Sequence, residues 1–422
     1  VERVLVRETQ NLLKTYSALI RPNGDWAVAL DPGKDYDVSY FAAGFAPVVH
    51  GPYGVTAGSD ISAFDALSAL DAWDAPTSES TSKLVQLLRF VERFSYSAAA
   101  GTQFGSLTGS SRWFGSVLAP NGKIYGIPHD AEDVLEIDPA TQAVTRFGLV
   151  SGADKYAGGV LAPDGKIYCV PHSATSILEI DPVAQTVSTW GSLPAGSSKW
   201  YGGVVAPNGK IYGIPHNHDS VLEIDPVARS INYLGSFSGG TKWYGGVLAT
   251  NGKIYGAPFD ADGILEIDPQ TGAVETFGVL SGSGGDKWSG AVLAPNGRIY
   301  CIPRDAEEVL EINPETRSYM LFDAPVGNDK WLCGALAPNG KIYGLPLYSQ
   351  NILEIDPVSR SCTELGFGAG AGGFPWIGCT LAPNGRLYGM AYTEESVLEI
   401  DVGAPAGVID LNAALHPSLN CL

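Results

Sequence analysis

Short apolar segments of five or six residues, each closed by Gly, Pro, Asn or Asp, recur along most of this chain. The stretch from Lys242 to Pro269, "KWYGGVLATNGKIYGAPFDADGILEIDP", shows the order. "GGVLAT" is a strand rich in small residues. The Asn-Gly after it predicts a two-residue hairpin with both central residues at positive φ. "KIYGAP" is a second strand and a polar loop follows. "ILEIDP" is a third strand that Pro stops, and "AVETFG" is a fourth that ends at Gly. In the third strand Leu and Ile share one face and Glu falls on the other.

The turn A-[PT]-[ND]-G stands at Ala119, Ala162, Ala206, Ala249, Ala294, Ala337 and Ala382, a spacing of 43 to 45 residues. Seven units of four antiparallel strands predict an all-β seven-bladed β-propeller. A helical solenoid of similar period would need 3.6-residue periodicity, and the units have none. The seventh unit reaches "VLEID" at Asp401 with no clear fourth strand, while "GTQFGSLTGSSRW" (Gly101–Trp113) reads as a fourth strand without its first three. The N-terminal side therefore donates the outer strand of the last blade and closes the ring.

Residues 1–95 do not follow the repeat, which places the propeller over 96–422. Ile61, Phe64, Leu67 and Leu70 are spaced like one helix face, as are Leu84, Leu87, Leu88 and Val91, so this extension is expected to be partly helical. The segment Arg21–Gly33 faintly echoes the repeat's turn.

Composition narrows the partners. A net charge of −19 argues against nucleic acid and anionic membrane surfaces. No apolar run approaches the roughly 18 residues of a membrane span. The six Cys include no Cys-x-x-Cys pair, and no Asn-x-Ser/Thr acceptor is present, which leans toward an intracellular or organellar compartment. Cys169, Cys301, Cys333 and Cys379 stand where other units have Gly and read as small buried residues. No phosphate loop, dinucleotide pattern, nucleophile elbow or calcium loop is present, and no cofactor or metal is expected.

Two repeated features share the upper rim. One is a cation before an aromatic ring: Arg112-Trp113, Lys155-Tyr156, Lys199-Trp200, Lys242-Trp243, Lys287-Trp288 and Lys330-Trp331. Such pairs form either a basic, aromatic entrance or packing between blades. The other is the residue after the second strand: His129, His172, His216, Phe259, Arg304, Leu347 and Tyr392. It varies on a constant frame, as a ligand surface does. One of these His could work as a general acid–base, with Arg304 binding an anion. Asp130, Asp260, Asp305 and Glu307 could instead make the rim an acidic docking surface. Glu136, Glu179, Glu223, Glu266, Glu311, Glu354 and Glu399 recur in every unit and read as structural, pairing with the Lys or Tyr of the second strand.

Over residues 101–401 the units "G-x-[IL]-Y … [IV]-L-E-I-D-P" resemble propellers of the NHL, SMP-30 and virginiamycin B lyase type. That resemblance implies a seven-bladed ring used as scaffold, ligand binder, metal-dependent hydrolase or lyase. The hydrolases use a carboxylate-rich axial metal site, which has no match here. The lyase type implies a central His, with His172 and His216 as candidates. Near-identity of the blades leads to the expectation of a non-enzymatic scaffold that docks a protein partner in a larger assembly. One alternative is a lyase or hydrolase of a small anionic molecule at the axial mouth, using His129, His172, His216 and Arg304. Another is a carbohydrate binder with Trp200, Trp243 and Trp288 as exposed platforms.

Overall fold

A computed structural model describes residues 100–402 apart from 108–111, 281–284 and 368–372, and four strands before them. The chain divides into two compact units, Val1–Ser95 and Tyr96–Leu422. The first holds an antiparallel sheet ordered Thr15–Leu19, Arg3–Glu8, Asp35–Phe41, Val48–Gly54. The sequence reading missed these strands, although "DYDVSYF" alternates polar with apolar residues as strands do. The two expected helices and the segment Arg21–Gly33 lie outside the described residues.

The second unit is a seven-bladed propeller of four-stranded antiparallel sheets. The first blade runs Trp113–Leu118, Ile124–Pro128, Val134–Asp138 and Ala143–Phe147 from the axis outward. Five more repeat this order, with inner strands starting at Tyr156, Trp200, Trp243, Trp288 and Trp331. The seventh joins Trp376–Leu381, Leu387–Ala391 and Val397–Asp401 to Ala100–Phe104, with Ile400 opposite Gly101. The expected strand donation closes the ring. Among the described residues no helix is long and apolar enough to cross a membrane.

The hairpin between the first two strands differs from the expected one. In the first blade Gly122 takes φ 77° and Asn121 does not enter the left-handed region. Gly122 N–H bonds to Ala119 C=O at 3.0 Å, so Pro120 and Asn121 are the central turn residues. Proline's fixed φ suits the first of these positions, and the glycine then bulges the chain back into register. Asn121 uses its side chain instead: Oδ1 accepts from Lys123 N–H (3.1 Å) and Nδ2 donates to Tyr125 Oη (2.8 Å).

Each inner strand carries a register shift just after its aromatic residue, as between Trp243 and Gly246. Gly245 sits at φ 72° in that bulge. The bulge turns the residue after the tryptophan into a shared cluster of Phe114, Ala157, Tyr244, Leu332 and Ile377 that joins the blades.

Between blades the repeated Glu is buried at five of its seven positions. Tyr125 lies directly opposite Glu136 and donates to it at 2.8 Å, Lys123 adds a 2.6 Å ion pair, and Gln185 of the next blade donates at 3.0 Å. Arg229 bonds Glu179 in the same way, and Arg360 bonds Glu311. The carboxylate therefore ties two strands of one blade to the outer turn of the next.

Candidate functional site

The upper axial mouth is built from two rings of side chains, one residue per blade in each. The first ring follows the second strands, and the structure brings its members together, a convergence the sequence left open. The rings of His129 and His172 have centroids 5.1 Å apart, those of His216 and Phe259 5.4 Å, and those of His129 and Tyr392 5.8 Å. The Arg304 guanidinium lies 5.1 Å from the Phe259 ring centroid, and Leu347 packs into the same apolar cluster. The backbone fixes this spacing. Lys155 N–H bonds to His129 C=O, Lys199 N–H to His172 C=O and Lys242 N–H to His216 C=O, each at 3.0 Å across a blade boundary.

The second ring went unrecognised in the sequence. It is the residue after the aromatic of each inner strand and includes Phe114, Tyr201, Tyr244 and Ser289. Its signal was available, because the x of "W-x-G" varies among the units as the residue after "IP" does. Tyr201 matters most. Its hydroxyl lies 2.8 Å from His172 Nε2, while His172 Nδ1 lies 3.0 Å from the Asp154 carbonyl oxygen. A carbonyl only accepts, so Nδ1 carries the hydrogen and Nε2 accepts from Tyr201 O–H. Burial lowers His172 to about 4 and raises Tyr201 to about 12, so the resting pair is neutral.

His216 is held by the same logic. Its Nδ1 lies 3.0 Å from Trp243 C=O, which leaves the Nε2 lone pair as the ring's acceptor. Burial lowers it to about 4. The Tyr201 ring stacks on Tyr244 at 4.4 Å and meets the His216 ring edge at 4.6 Å. Tyr201, Arg304 and Tyr392 are partly exposed members of the two rings, and Phe374 packs beside them. Arg304 is already paired: Asp329 Oδ1 lies 2.6 Å from Nη2 and accepts from Nε at 2.7 Å, and Asp286 lies 3.4 Å away. An incoming acyl or carboxyl oxygen would share that guanidinium with Asp329.

The cation–aromatic pairs serve the frame. Trp200, Trp243 and Trp288 are 0%, 2% and 1% exposed. Each donates its indole N–H to a backbone carbonyl at 2.8 Å, at Ser220, Gly263 and Glu308 respectively. A buried ring cannot stack on a sugar, so the carbohydrate-platform expectation is corrected. Lys199, Lys242 and Lys287 are buried too. Lys199 Nζ donates to Ala174 C=O (2.9 Å) and Gly196 C=O (3.2 Å), and burial lowers it to about 8. These cations fasten the loops between blades and do not form an open basic rim.

The aspartates after the axial residues also serve the frame. Asp130 Oδ1 accepts from Asp154 N–H at 2.9 Å and Asp260 Oδ1 from Asp286 N–H at 2.7 Å. A groove of about 580 Å³ lies away from the axis, between the loop Leu149–Lys155 and the strand Thr186–Trp190, with Ser151, Ser173, Thr175 and Ser188 in its wall.

No protein-family model matches this chain, and no curated protein matches it in sequence. Its fold is shared by solved structures. Virginiamycin B lyase from Staphylococcus aureus superposes with a TM-score of 0.63 at 14% identity, covering 72% of this chain and 99% of the lyase. A catalytically inactive histidine-to-alanine form of that enzyme with quinupristin gives 0.62 at 15% identity, covering 72% and 99%. Hydrazine synthase from Kuenenia stuttgartiensis gives 0.52 at 15% identity, covering 70% and 97%. The expectation of a non-enzymatic scaffold is corrected on this ground. The ring shares its fold with an enzyme, so the fold is compatible with enzymatic function. Blade uniformity argued for a scaffold, but that uniformity answers to strand pairing and inter-blade bonds and stops at the axial side chains.

Proposed function

We propose that the propeller is an enzyme of the lyase class that opens a small acyl-bearing molecule at the axial mouth by elimination. The observation that carries this reading is the Tyr201–His172 pair, a hydroxyl aimed at a histidine whose tautomer the Asp154 carbonyl fixes. Tyr201 takes the proton beside the substrate's carbonyl as its own hydrogen passes to His172 Nε2. The electron pair left on carbon forms the new double bond and expels the leaving oxygen. The reverse relay then returns the proton to that oxygen, so atoms and charge balance. Arg304 meets the charge that develops on the carbonyl oxygen. His216 and the stacked Tyr201 and Tyr244 rings orient the substrate from the other side.

The test is incubation of the whole chain with quinupristin, the ligand named for the inactive lyase, followed by mass spectrometry. Elimination yields a ring-opened isomer of unchanged mass, whereas hydrolysis adds one water. An isomer formed by the wild type and not by Tyr201→Phe supports the reading. Gain of water moves it to a hydrolase. Intact quinupristin with the wild type, or unchanged conversion by Tyr201→Phe, overturns it.

A further inference from the structure

The carboxylate frame around the mouth is the same at several blade junctions, but different side chains face it. Between the fifth and sixth blades Asp305 accepts the Asp329 N–H, and the Arg304 guanidinium fills the space beside Asp329 at 2.6 Å. Between the fourth and fifth, Asp260 accepts the Asp286 N–H and Phe259 stands at the axial position. Between the first and second, Asp130 accepts the Asp154 N–H at 2.9 Å, and the facing group is His129. His129 Nδ1 lies 3.5 Å from Asp130 Oδ2 and 3.7 Å from Asp154 Oδ1, and the three atoms fall within 4.8 Å of one another.

We infer that His129, Asp130 and Asp154 form a binding site for a first-row divalent cation such as Mn²⁺ or Zn²⁺, with water completing its shell. One observation separates this cluster from ordinary rim acids. The His129 side chain is 3% exposed, and its Nδ1, aimed at the two carboxylates, is a buried atom with no hydrogen-bond partner. Leaving such a nitrogen unmatched is costly, and a metal bond removes that cost. One imidazole nitrogen with two carboxylate oxygens is a mixed donor set that suits Mn²⁺ or Zn²⁺ better than Ca²⁺ or Mg²⁺. Donors about 2.1 Å from an ion stand roughly 3 Å apart, so the two histidine–carboxylate separations need to close by under about 1 Å, and the two carboxylate oxygens, within 4.8 Å of each other, by no more than about 2 Å. Asp154 can supply that motion, since its side chain is 64% exposed and opens the site to solvent.

Two built-in cations neighbour the site. Arg112 Nη1 lies 3.8 Å from Asp130 Oδ2 on a side chain 43% exposed, so it can withdraw. Lys155 Nζ is turned away and donates to Ala131 C=O (2.8 Å) and Gly152 C=O (2.6 Å).

The test uses the whole chain stripped with chelator and titrated with MnCl₂, with free Mn²⁺ read by electron paramagnetic resonance. The wild type and an Asp260→Asn control should each bind one Mn²⁺ saturably, and the wild type's melting temperature should rise with it. His129→Ala and Asp154→Asn should lose both effects. Asn accepts the left-handed φ of 49° at position 154, so that variant keeps the fold. Absence of saturable Mn²⁺ and Zn²⁺ binding by the wild type, or equal binding by Asp154→Asn, overturns the inference.

Discussion

Tyr201, on the inner strand of the third blade, donates its hydroxyl hydrogen to Nε2 of His172, on the loop of the second blade, across 2.8 Å. Neither blade holds the pair alone, and the backbone bond from Lys199 N–H to His172 C=O sets their spacing. Removing the hydroxyl with Tyr201→Phe should lower kcat on quinupristin by about 10²–10⁴-fold with little change in KM. His172→Ala should cost the same, and the double variant no more, because in the proposed mechanism the two act as one relay. Additive losses in steady-state kinetics would separate them.

His216 should make the fold acid-sensitive in a defined window. Its folded value of about 4 lies below the ordinary 6.5 because burial disfavours the imidazolium. Between these values the unfolded chain binds a proton that the folded chain does not. Stability therefore rises with pH across the window and is lost as pH falls from 6.5 toward 4, by about 3 kcal/mol at the lower end. Phe occupies the equivalent position 259 in the next blade, so His216→Phe is compatible with the frame. Urea unfolding of His216→Phe at pH 7 and pH 4.5 should show a smaller difference than the wild type does.

The ring was legible because its requirements repeat. Ala119–Gly122 and its six counterparts marked the hairpins, and the lone strand before Trp113 beside the missing one after Asp401 revealed the closure. The axial histidines were legible as variation on a constant frame. Tyr201 was not, because it lies beside the recurring aromatic at Trp200 in sequence, and only the glycine bulge that follows at Gly202 turns it toward the axis. The burial of Lys199 was equally hidden. A Lys-Trp pair in a loop reads as exposed, and only the packed ring shows the carbonyls of Ala174 and Gly196 that hold the ammonium.

Glu311 is the most buried of the repeated glutamates, 1% exposed, and two arginines meet it: Arg360 Nε at 2.7 Å and Arg298 Nε at 3.4 Å. Glu311→Ala removes the carboxylate that both guanidiniums share across the inter-blade seam, and the arginines, 35% and 45% exposed, turn to solvent, so it should cost about 1–3 kcal/mol. Arg360→Ala should cost under about 1 kcal/mol, because that side chain is 45% exposed and its half of the pair is solvent-screened. Chemical denaturation of the two variants should keep this order. A larger loss for Arg360→Ala would mean that the seam depends on the arginine's packing rather than on the carboxylate.

Gly246 and Gly252 have different reasons to be glycine, and alanine at each should separate them. A Cβ at Gly246 would lie 2.9 Å from Ile214 Cδ1 of the preceding blade and 2.9 Å from the Tyr255 carbonyl oxygen. The isoleucine can shift, but the carbonyl belongs to the paired strand and cannot move without breaking the sheet. Gly252 has φ 79° with nothing within 4 Å of its Cβ, so alanine there meets backbone strain alone. Gly252→Ala should therefore cost about 1–2 kcal/mol, and Gly246→Ala about that or more, toward 3 kcal/mol. The clearer distinction is in spacing. Gly246→Ala pushes the third and fourth blades apart near His216 and should lower turnover as well as melting temperature, while Gly252→Ala, in the hairpin at the far end of the strand, should lower melting temperature alone.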